Sequence, residues 1–280
     1  MDKLDYMPIT IPNYSYTFNF EKSFTYSDTV IRITNHYPYC FCYCLFYVIL
    51  IFTGKYFMSS RSKFELRGML ALWNASLAVF SIFGFHRMGS ELYHVLRNYG
   101  FQHSICISYI AHDPVMNFWS LLFILSKIVE LGDTAFIVLR KQSLKCLHWY
   151  HHITVLLYAW LCFIENAPYS RWNSVINYFV HSWMYFYYAL KAMQFILPRW
   201  FAMLITTLQI LQMVWGCFIT ITTYNYIKND QIDCHIESYN VKIGLLIYFS
   251  YFILFSRFFK QAYLSNNCRK IKECSKHAQD

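Results

Sequence analysis

Three histidines stand close together in the chain, at positions 148, 151 and 152. In a helix, residues three and four positions apart share one face, so His148, His151 and His152 would project from a single turn. Imidazole titrates near neutral pH and can therefore act as a general base, a nucleophile or a metal ligand. Three such groups on one face predict a reactive site rather than an ordinary helix surface.

Three further polar sets interrupt otherwise apolar stretches, and each is spaced for one helical face. They are Lys127, Glu130 and Asp133; His181 with Tyr185 and Tyr188; and Thr206, Gln209 and Gln212. Ionisable groups in apolar surroundings are costly and usually mark a function. We interpret these sets as walls of the histidine site. The structural alternatives are an ion-pair ladder between helices and amides that bind neighbouring helices.

The composition places this site in a membrane protein. Hydrophobic residues make up 57% of the 280 residues and charged residues only 14%, against about 25% charged in soluble domains. The formal charge of +9 is spread over short segments without a basic tract interleaved with aromatic residues, so no nucleic-acid partner is predicted.

The apolar runs predict an all-α, polytopic protein with seven transmembrane helices, because about 20 apolar residues cross a bilayer. We expect a short N-terminal segment (1–36), a seven-span domain (37–264) and a basic tail (265–280). The predicted spans are 37–58, 68–86, 115–139, 147–165, 171–190, 200–224 and 241–264.

Basic residues predict the orientation of these spans. Fourteen lysines and arginines fall in the tail and the loops on its side, and eight on the opposite side, which predicts a cytosolic C-terminus. With seven spans the N-terminus is then translocated, and so is the sequon at Asn13, a glycosylation candidate. The polar sets converge in the cytosolic halves of their spans. They predict a pocket open to the cytosol.

Metal chemistry is the first alternative function. Membrane desaturases and hydroxylases use about eight histidines to hold two irons. Of the eleven histidines here, only four are predicted at the cytosolic site, too few for a di-iron centre. A single metal stays open as an alternative, but we predict no metal. A seven-span receptor or transporter is a second alternative; it would need polar groups along both halves of the spans.

Four motifs carry a resemblance to a known family. They occur in order on successive predicted spans and read Lys127-x-x-Glu130-x-x-Asp133-Thr134, His148-x-x-His151-His152, His181-x-x-Met184-Tyr185-x-Tyr187-Tyr188 and Thr206-x-x-Gln209-x-x-Gln212. In these motifs the chain resembles the ELO fatty-acid elongases, and the sequence around Trp149 resembles the elongase 6 and elongase 3 branch.

The resemblance implies an enzyme of the endoplasmic reticulum membrane. It would condense a long-chain saturated or monounsaturated acyl-CoA with malonyl-CoA to give 3-ketoacyl-CoA, CoA and CO2, without another cofactor. The implied partners are the reductases and the dehydratase of the elongation cycle. We favour His151 as nucleophile, with His148, His152 and His181 moving protons; His151 as a general base is the alternative.

Two further predictions concern residues outside the histidine site. Basic groups near the cytosolic ends of the spans are candidates to bind the CoA phosphates, with a pure topology signal as the alternative: Arg140, Lys141, Lys145, Lys191 and Arg199. Only Cys106 and Cys234 fall in loops on the oxidising side. The topology therefore predicts a disulfide between them, with two unpaired thiols as the alternative.

Overall fold

The computed structural model describes residues 10–108, 112–229 and 234–265, and within these ranges every regular element is a helix. The all-α prediction is confirmed. A π-helical turn, Lys260–Leu264, extends the last helix. The helices are α1 (Asn19–Lys22), α2 (Tyr26–Ser59), α3 (Arg67–Cys106), α4 (Pro114–Glu130), α5 (Gly132–Leu139), α6 (Cys146–Ile164), α7 (Ser170–Ala192), α8 (Arg199–Lys228) and α9 (Ser238–Phe259).

Four of these helices are long and apolar enough to cross a membrane: α2, α3, α8 and α9 with its π-helical turn. Their outward faces carry many exposed aromatic and aliphatic side chains, such as Phe41, Leu72 and Leu246. Exposed apolar surface on this scale is unfavourable in water and is expected against lipid. The prediction of a membrane protein agrees with these helices.

The predicted third span is broken in two. The Asp113 carboxylate begins α4 by accepting hydrogen bonds from the backbone amides of Val115 and Met116, at 2.9 and 3.3 Å, as a helix N-cap does. This helix ends at Glu130, and α5 begins at Gly132. Lys127 and Glu130 therefore belong to the first helix and Asp133 to the second, although Leu131 between them keeps α-helical backbone angles (φ −57°, ψ −26°).

The first two spans extend beyond their predicted ends. Helix α2 begins at Tyr26, inside the segment predicted to precede the first span. Helix α3 continues past residue 86 to Cys106, with a kink at Gly100, whose backbone is not helical (φ 82°, ψ 178°). The part of α3 beyond residue 86 is polar, but its Glu91 forms a buried ion pair with Arg171 of α7, at 2.6 Å. Helix α3 ends at Cys106, so this cysteine, predicted in a loop, is the last residue of a helix.

Helices α3 and α7 pack closely against each other. At Gly84 in α3, a Cβ atom would lie only 2.5 Å from the ring of Tyr178, so the glycine lets the two helices approach. The same ring contacts Phe80 and Phe123, with centroids 5.6 and 5.2 Å away. This packing fixes α7, the helix that carries His181, against α3 and α4.

Two long-range links connect the helix ends that lie away from the histidines. Cys106 and Cys234 form a disulfide with a Cα–Cα distance of 4.3 Å, which connects the end of α3 to the segment before α9. In the N-terminal segment, the buried Glu21 accepts hydrogen bonds from Arg87 Nε and Trp119 Nε1, at 3.0 and 2.8 Å. Of the predicted tail, only Ser265 lies within the described residues.

Candidate functional site

A cavity of about 620 Å³ lies between α4, α5, α6, α7, α8 and α9. We call it the outer cavity. Its walls bring together most of the polar residues that the sequence predicted: Glu130, Asp133, His148, His151, His152, His181, Tyr185, Tyr188, Gln209 and Gln212. Lys127 lies behind this wall and is 2% exposed. Thr206 is also absent from the lining; its hydroxyl faces Tyr263, 3.3 Å away.

His148 is oriented by a pair of hydroxyl groups. Its Nε2 lies 2.9 Å from the Thr134 hydroxyl, which in turn lies 2.6 Å from the hydroxyl of Tyr47 on α2. Thr134 is buried, so the pair is shielded from water. The imidazole of His148 packs against that of His152, with ring centroids 4.4 Å apart. One side of the histidine cluster is therefore fixed by α2 and α5.

His181 belongs to a ring of four polar groups. Lys127 Nζ donates to Glu130 Oε1 and to Asn177 Oδ1, at 2.7 and 2.9 Å. The Asn177 amide nitrogen lies 3.2 Å from His181 Nε2, and His181 Nδ1 lies 3.7 Å from Glu130 Oε1. Because the ammonium group holds the Asn177 oxygen, the amide presents its NH2 to the imidazole. His181 then accepts at Nε2 and carries its proton on Nδ1.

Asp133 is held by residues from two other helices. Trp73 Nε1 donates to Asp133 Oδ1 at 2.6 Å, and the hydroxyl of Tyr185 donates to Oδ2 at 2.8 Å. Tyr185 also packs against His181, with ring centroids 5.4 Å apart. The carboxylate thus joins α3, α5 and α7, and it supports the wall beside His181 rather than the histidine box itself.

His151 differs from the other three histidines of the site in its position, because it alone of the four lines two cavities. Among the described residues, neither of its ring nitrogens has a hydrogen-bond partner, while its ring lies 4.9 Å from that of Tyr251 and 5.6 Å from that of His152. His151 also lines a second, narrower cavity of about 60 Å³, the inner cavity. The His152 ring likewise has no hydrogen-bond partner among the described residues, so the position of His151, where the two cavities meet, is what distinguishes it.

The inner cavity follows α6 from His151 towards Phe163. Tyr158 lines it, and beyond it the hydroxyls of Tyr158 and Tyr169 both donate to the side-chain oxygen of Asn240. The amide nitrogen of Asn240 donates in turn to a carboxylate oxygen of Glu165. These polar bonds join α6 to α9, and they close the end of the inner cavity that lies away from the histidines.

The predicted CoA-binding residues divide into two groups. Arg140, Lys145 and Lys191 line the outer cavity. Lys141 instead donates to the backbone oxygen of Ser59, at 3.2 Å, and Arg199 to that of Tyr263, at 3.0 Å. The structure therefore brings three of the five candidates to the cavity.

Sequence reasoning missed several groups that hold the site. Asn177, Trp73 and Tyr47 contact the predicted polar residues directly. Asn177 could have been found, because it precedes His181 by one helical turn. No local sequence pattern distinguishes Trp73 or Tyr47 from other aromatic residues of the chain. Within the described ranges, histidine, cysteine and acidic side chains form no group of three that could hold a metal ion. Asn13, the predicted glycosylation site, is exposed.

Comparisons of the chain with a family model and with known proteins agree on one family. The model of the ELO: GNS1/SUR4 family matches residues 32–271. Very long chain fatty acid elongase 6 of Drosophila melanogaster is 50% identical over 256 residues, covering 91% of this chain and 81% of that protein. Elongase 6 of Mus musculus is 42% identical over 259 residues, covering 92% and 96%. Very long chain fatty acid elongase 3 of Mus musculus is 41% identical over 240 residues, covering 86% and 88%.

Proposed function

This chain belongs to the ELO family, and from that premise we propose that it condenses a long-chain saturated or monounsaturated acyl-CoA with malonyl-CoA. It is a fatty-acid elongase, and its reaction is the condensing step of elongation. The products of this step are a 3-ketoacyl-CoA, CoA and CO2. The observation that carries the proposal is the position of His151, a free imidazole between a large polar cavity and a narrow, largely apolar one.

The two cavities suit the two parts of an acyl-CoA. The outer cavity has room for a polar head and carries Arg140, Lys145 and Lys191, which can pair with phosphates. The inner cavity begins at His151 and passes Phe123, Ile124 and Val155, an apolar lining for the first part of an acyl tail. Since it is narrow, its side chains must move apart when a tail enters. The thioester carbon then lies beside His151.

In the proposed mechanism, a ring nitrogen of His151 attacks the thioester carbonyl. The carbon–sulfur bond breaks, the CoA thiolate takes the proton lost from the other ring nitrogen, and a neutral acyl-imidazole remains. Malonyl-CoA then loses CO2, and the electron pair of the broken carbon–carbon bond forms an enolate. The enolate carbon attacks the acyl group, the carbon–nitrogen bond breaks, and the departing imidazole regains a proton from solvent through the outer cavity. His148 and His152 lie close enough to move these protons.

A general-base role for His151 is the alternative mechanism. There, malonyl-CoA and acyl-CoA bind together, and no acyl-enzyme forms. The order of product release separates the two mechanisms, because only the covalent route frees CoA before malonyl-CoA is added. We favour the covalent route, since His151 lies where the two cavities meet, beside the proposed position of the thioester carbon.

We further propose a seven-span topology in the endoplasmic reticulum membrane. In this arrangement α4 and α5 together form the third span, and α6 and α7 the fourth and fifth. The excess of basic residues on one side favours a cytosolic C-terminus and a lumenal N-terminus. The outer cavity then opens towards the cytosol, where acyl-CoA and malonyl-CoA are found. The proposed partners of the protein are the other enzymes of the elongation cycle, namely the reductases and the dehydratase.

The direct test uses purified protein with labelled malonyl-CoA and a panel of acyl-CoAs of different lengths and unsaturation. We expect labelled 3-ketoacyl-CoA from long saturated and monounsaturated substrates. Labelling confined to polyunsaturated substrates would contradict the proposed substrate class, and no labelled product from any acyl-CoA would contradict the condensing reaction.

A further inference from the structure

The outer and inner cavities meet at a small set of residues. Those that line both cavities are His151, Asn177, Gln212 and Met213. The Asn177 side chain is engaged at both of its polar atoms, by Lys127 and by His181. The Gln212 side chain makes no hydrogen bond among the residues that the structure describes. Gln212 therefore supplies an uncommitted amide at the junction that His151 also lines.

Contacts between α8 and α9 place Gln212 at the depth of the His151 imidazole. The two helices are antiparallel, and a Cβ atom at Gly216 would touch the ring of Tyr248. Counting about one turn from this contact along each helix, towards the histidines, brings Gln212 level with Tyr251. The Tyr251 ring packs against His151, with centroids 4.9 Å apart. Gln212 and His151 thus reach the junction from two different helices at one level.

The proposed condensation develops negative charge twice on the same oxygen. When His151 attacks the thioester, the acyl carbonyl oxygen carries the charge until the carbon–sulfur bond breaks. The charge returns to this oxygen when the enolate carbon attacks the acyl-imidazole, until the carbon–nitrogen bond breaks. At this depth the backbone N–H groups of α6 and α8 are bonded within their helices, so a side chain has to supply the donor that stabilises the oxyanion.

We propose that Gln212 is a catalytic residue whose side-chain NH2 group donates a hydrogen bond to the acyl carbonyl oxygen as its negative charge develops. The inference rests on the proposed function, since it assumes an acyl-CoA with its thioester at His151. Gln212 is only 9% exposed, so bulk water competes little for its N–H groups and the hydrogen bond is strengthened. Gln209, one turn earlier, is the poorer candidate, because it lines the outer cavity alone and its amide nitrogen lies 3.2 Å from the Met184 sulfur.

The test is the variant Gln212→Met, which keeps a side chain of similar length but removes the donor. With palmitoyl-CoA and labelled malonyl-CoA, we expect kcat to fall by about 10²–10³-fold, as it does when an oxyanion donor is removed from other enzymes. KM should change little, because the lost bond forms in the transition state. Leu211→Met is the matched control, since it introduces the same side chain at the next position, which is 55% exposed. It should keep full activity.

A second measurement separates a donor from a packing residue. S-hexadecyl-CoA has the head and tail of palmitoyl-CoA but a thioether in place of the thioester, so it offers no carbonyl oxygen to Gln212. It should bind equally well to the unaltered protein, to Gln212→Met and to Gln212→Glu, which keeps the size of the side chain but replaces the NH2 group with oxygen. Both variants should nevertheless lose turnover.

Weakened binding of S-hexadecyl-CoA in both variants would show that Gln212 maintains the shape of the site, and would overturn this inference. Turnover by Gln212→Met close to that of the unaltered protein, or a rise in KM without a fall in kcat, would also overturn it. In each of these cases, elongation of palmitoyl-CoA by the unaltered protein upholds the proposed function. Failure of the unaltered protein to elongate any acyl-CoA would overturn both.

Discussion

The amide nitrogen of Asn177 lies 3.2 Å from Nε2 of His181, one turn along the same helix. The oxygen of this amide is already engaged by the Lys127 ammonium group, so Asn177 cannot turn over without losing a charge-assisted hydrogen bond. Lys127 therefore sets the tautomer of His181 through an intervening amide.

Replacing Asn177 with aspartate should slow catalysis. The variant keeps an oxygen for Lys127 but loses the N–H that points to His181 Nε2, so the imidazole proton moves from Nδ1 to Nε2. We expect kcat to fall about tenfold to a hundredfold, the range typical of a misplaced acid–base group, with little change in KM. The measurement is kcat and KM across the pH range. The control is Asn225→Asp, at an exposed position far along α8.

A role limited to packing would give a different result for Asn177→Asp. The shape of the pH profile would then match that of the unaltered protein even if the rate fell. An unchanged profile would contradict the assignment of Asn177 as a positioning residue.

His151→Ala should abolish condensation without unfolding the protein. The His151 imidazole makes no hydrogen bond among the described residues and lines a cavity on two sides, so little packing is lost. We expect the turnover number to fall by at least about 10³-fold, since nucleophile deletions in other enzymes cost this much or more. The thermal midpoint should change little.

The assay for His151→Ala is labelled 3-keto product together with a thermal melt in detergent. His86→Ala, at an exposed position on α3, is the control and should keep full activity. If His151→Ala retains more than a few per cent of activity, the assignment of the nucleophile is wrong.

Gly84→Ala should destabilise the protein. The added methyl group would meet the ring of Tyr178 at 2.5 Å, and overpacking of this kind costs about 1–3 kcal/mol. At Gly68, near the start of α3, an added Cβ meets nothing within 4 Å. Gly68→Ala should therefore be neutral or stabilise by up to about 1 kcal/mol through helix propensity. Thermal melts of both variants test the pair, and equal shifts would contradict the close α3–α7 contact.

The Cys106–Cys234 disulfide should be present in protein from native membranes. It connects residues 128 positions apart, and in the chain-entropy model closing so long a loop stabilises by up to about 4–5 kcal/mol. Cys106→Ser/Cys234→Ser should lower the thermal midpoint accordingly. Peptide mapping without reductant is the direct measurement. Alkylatable thiols at both positions would contradict the bridge and the lumenal placement of this end.

Much of the helical framework could be predicted because apolar runs end at charged residues. Lys145 and Glu165 flank α6, whose bounds were predicted within one residue. The second half of α3 could not be predicted in this way. Arg87 and Glu91 make it polar, and their partners, Glu21 and Arg171, are distant in sequence. Pairing across the fold, rather than hydrophobicity, explains why this part is helical.

The site was predictable where its residues share a helix and not where they meet between helices. The spacing of His148, His151 and His152 was sufficient to place them together. Trp73 contacts Asp133, which lies 60 positions away in the sequence, and no local sequence pattern predicts such a contact. A pocket at the histidines was predicted, but its division into an outer and an inner cavity was not, because that depends on how α6, α7 and α9 pack.

The hydrogen bonds of Glu21 impose an order on biosynthesis. Its two donors are Arg87 and Trp119, and Trp119 follows it by 98 positions, so the ribosome must add those residues before the Glu21 carboxylate can have both. Until then the Glu21 carboxylate lacks its hydrogen bond from α4. The segment around Glu21 is thus fastened only after α4 has been made, and a partly made chain that ends before Trp119 cannot complete this link.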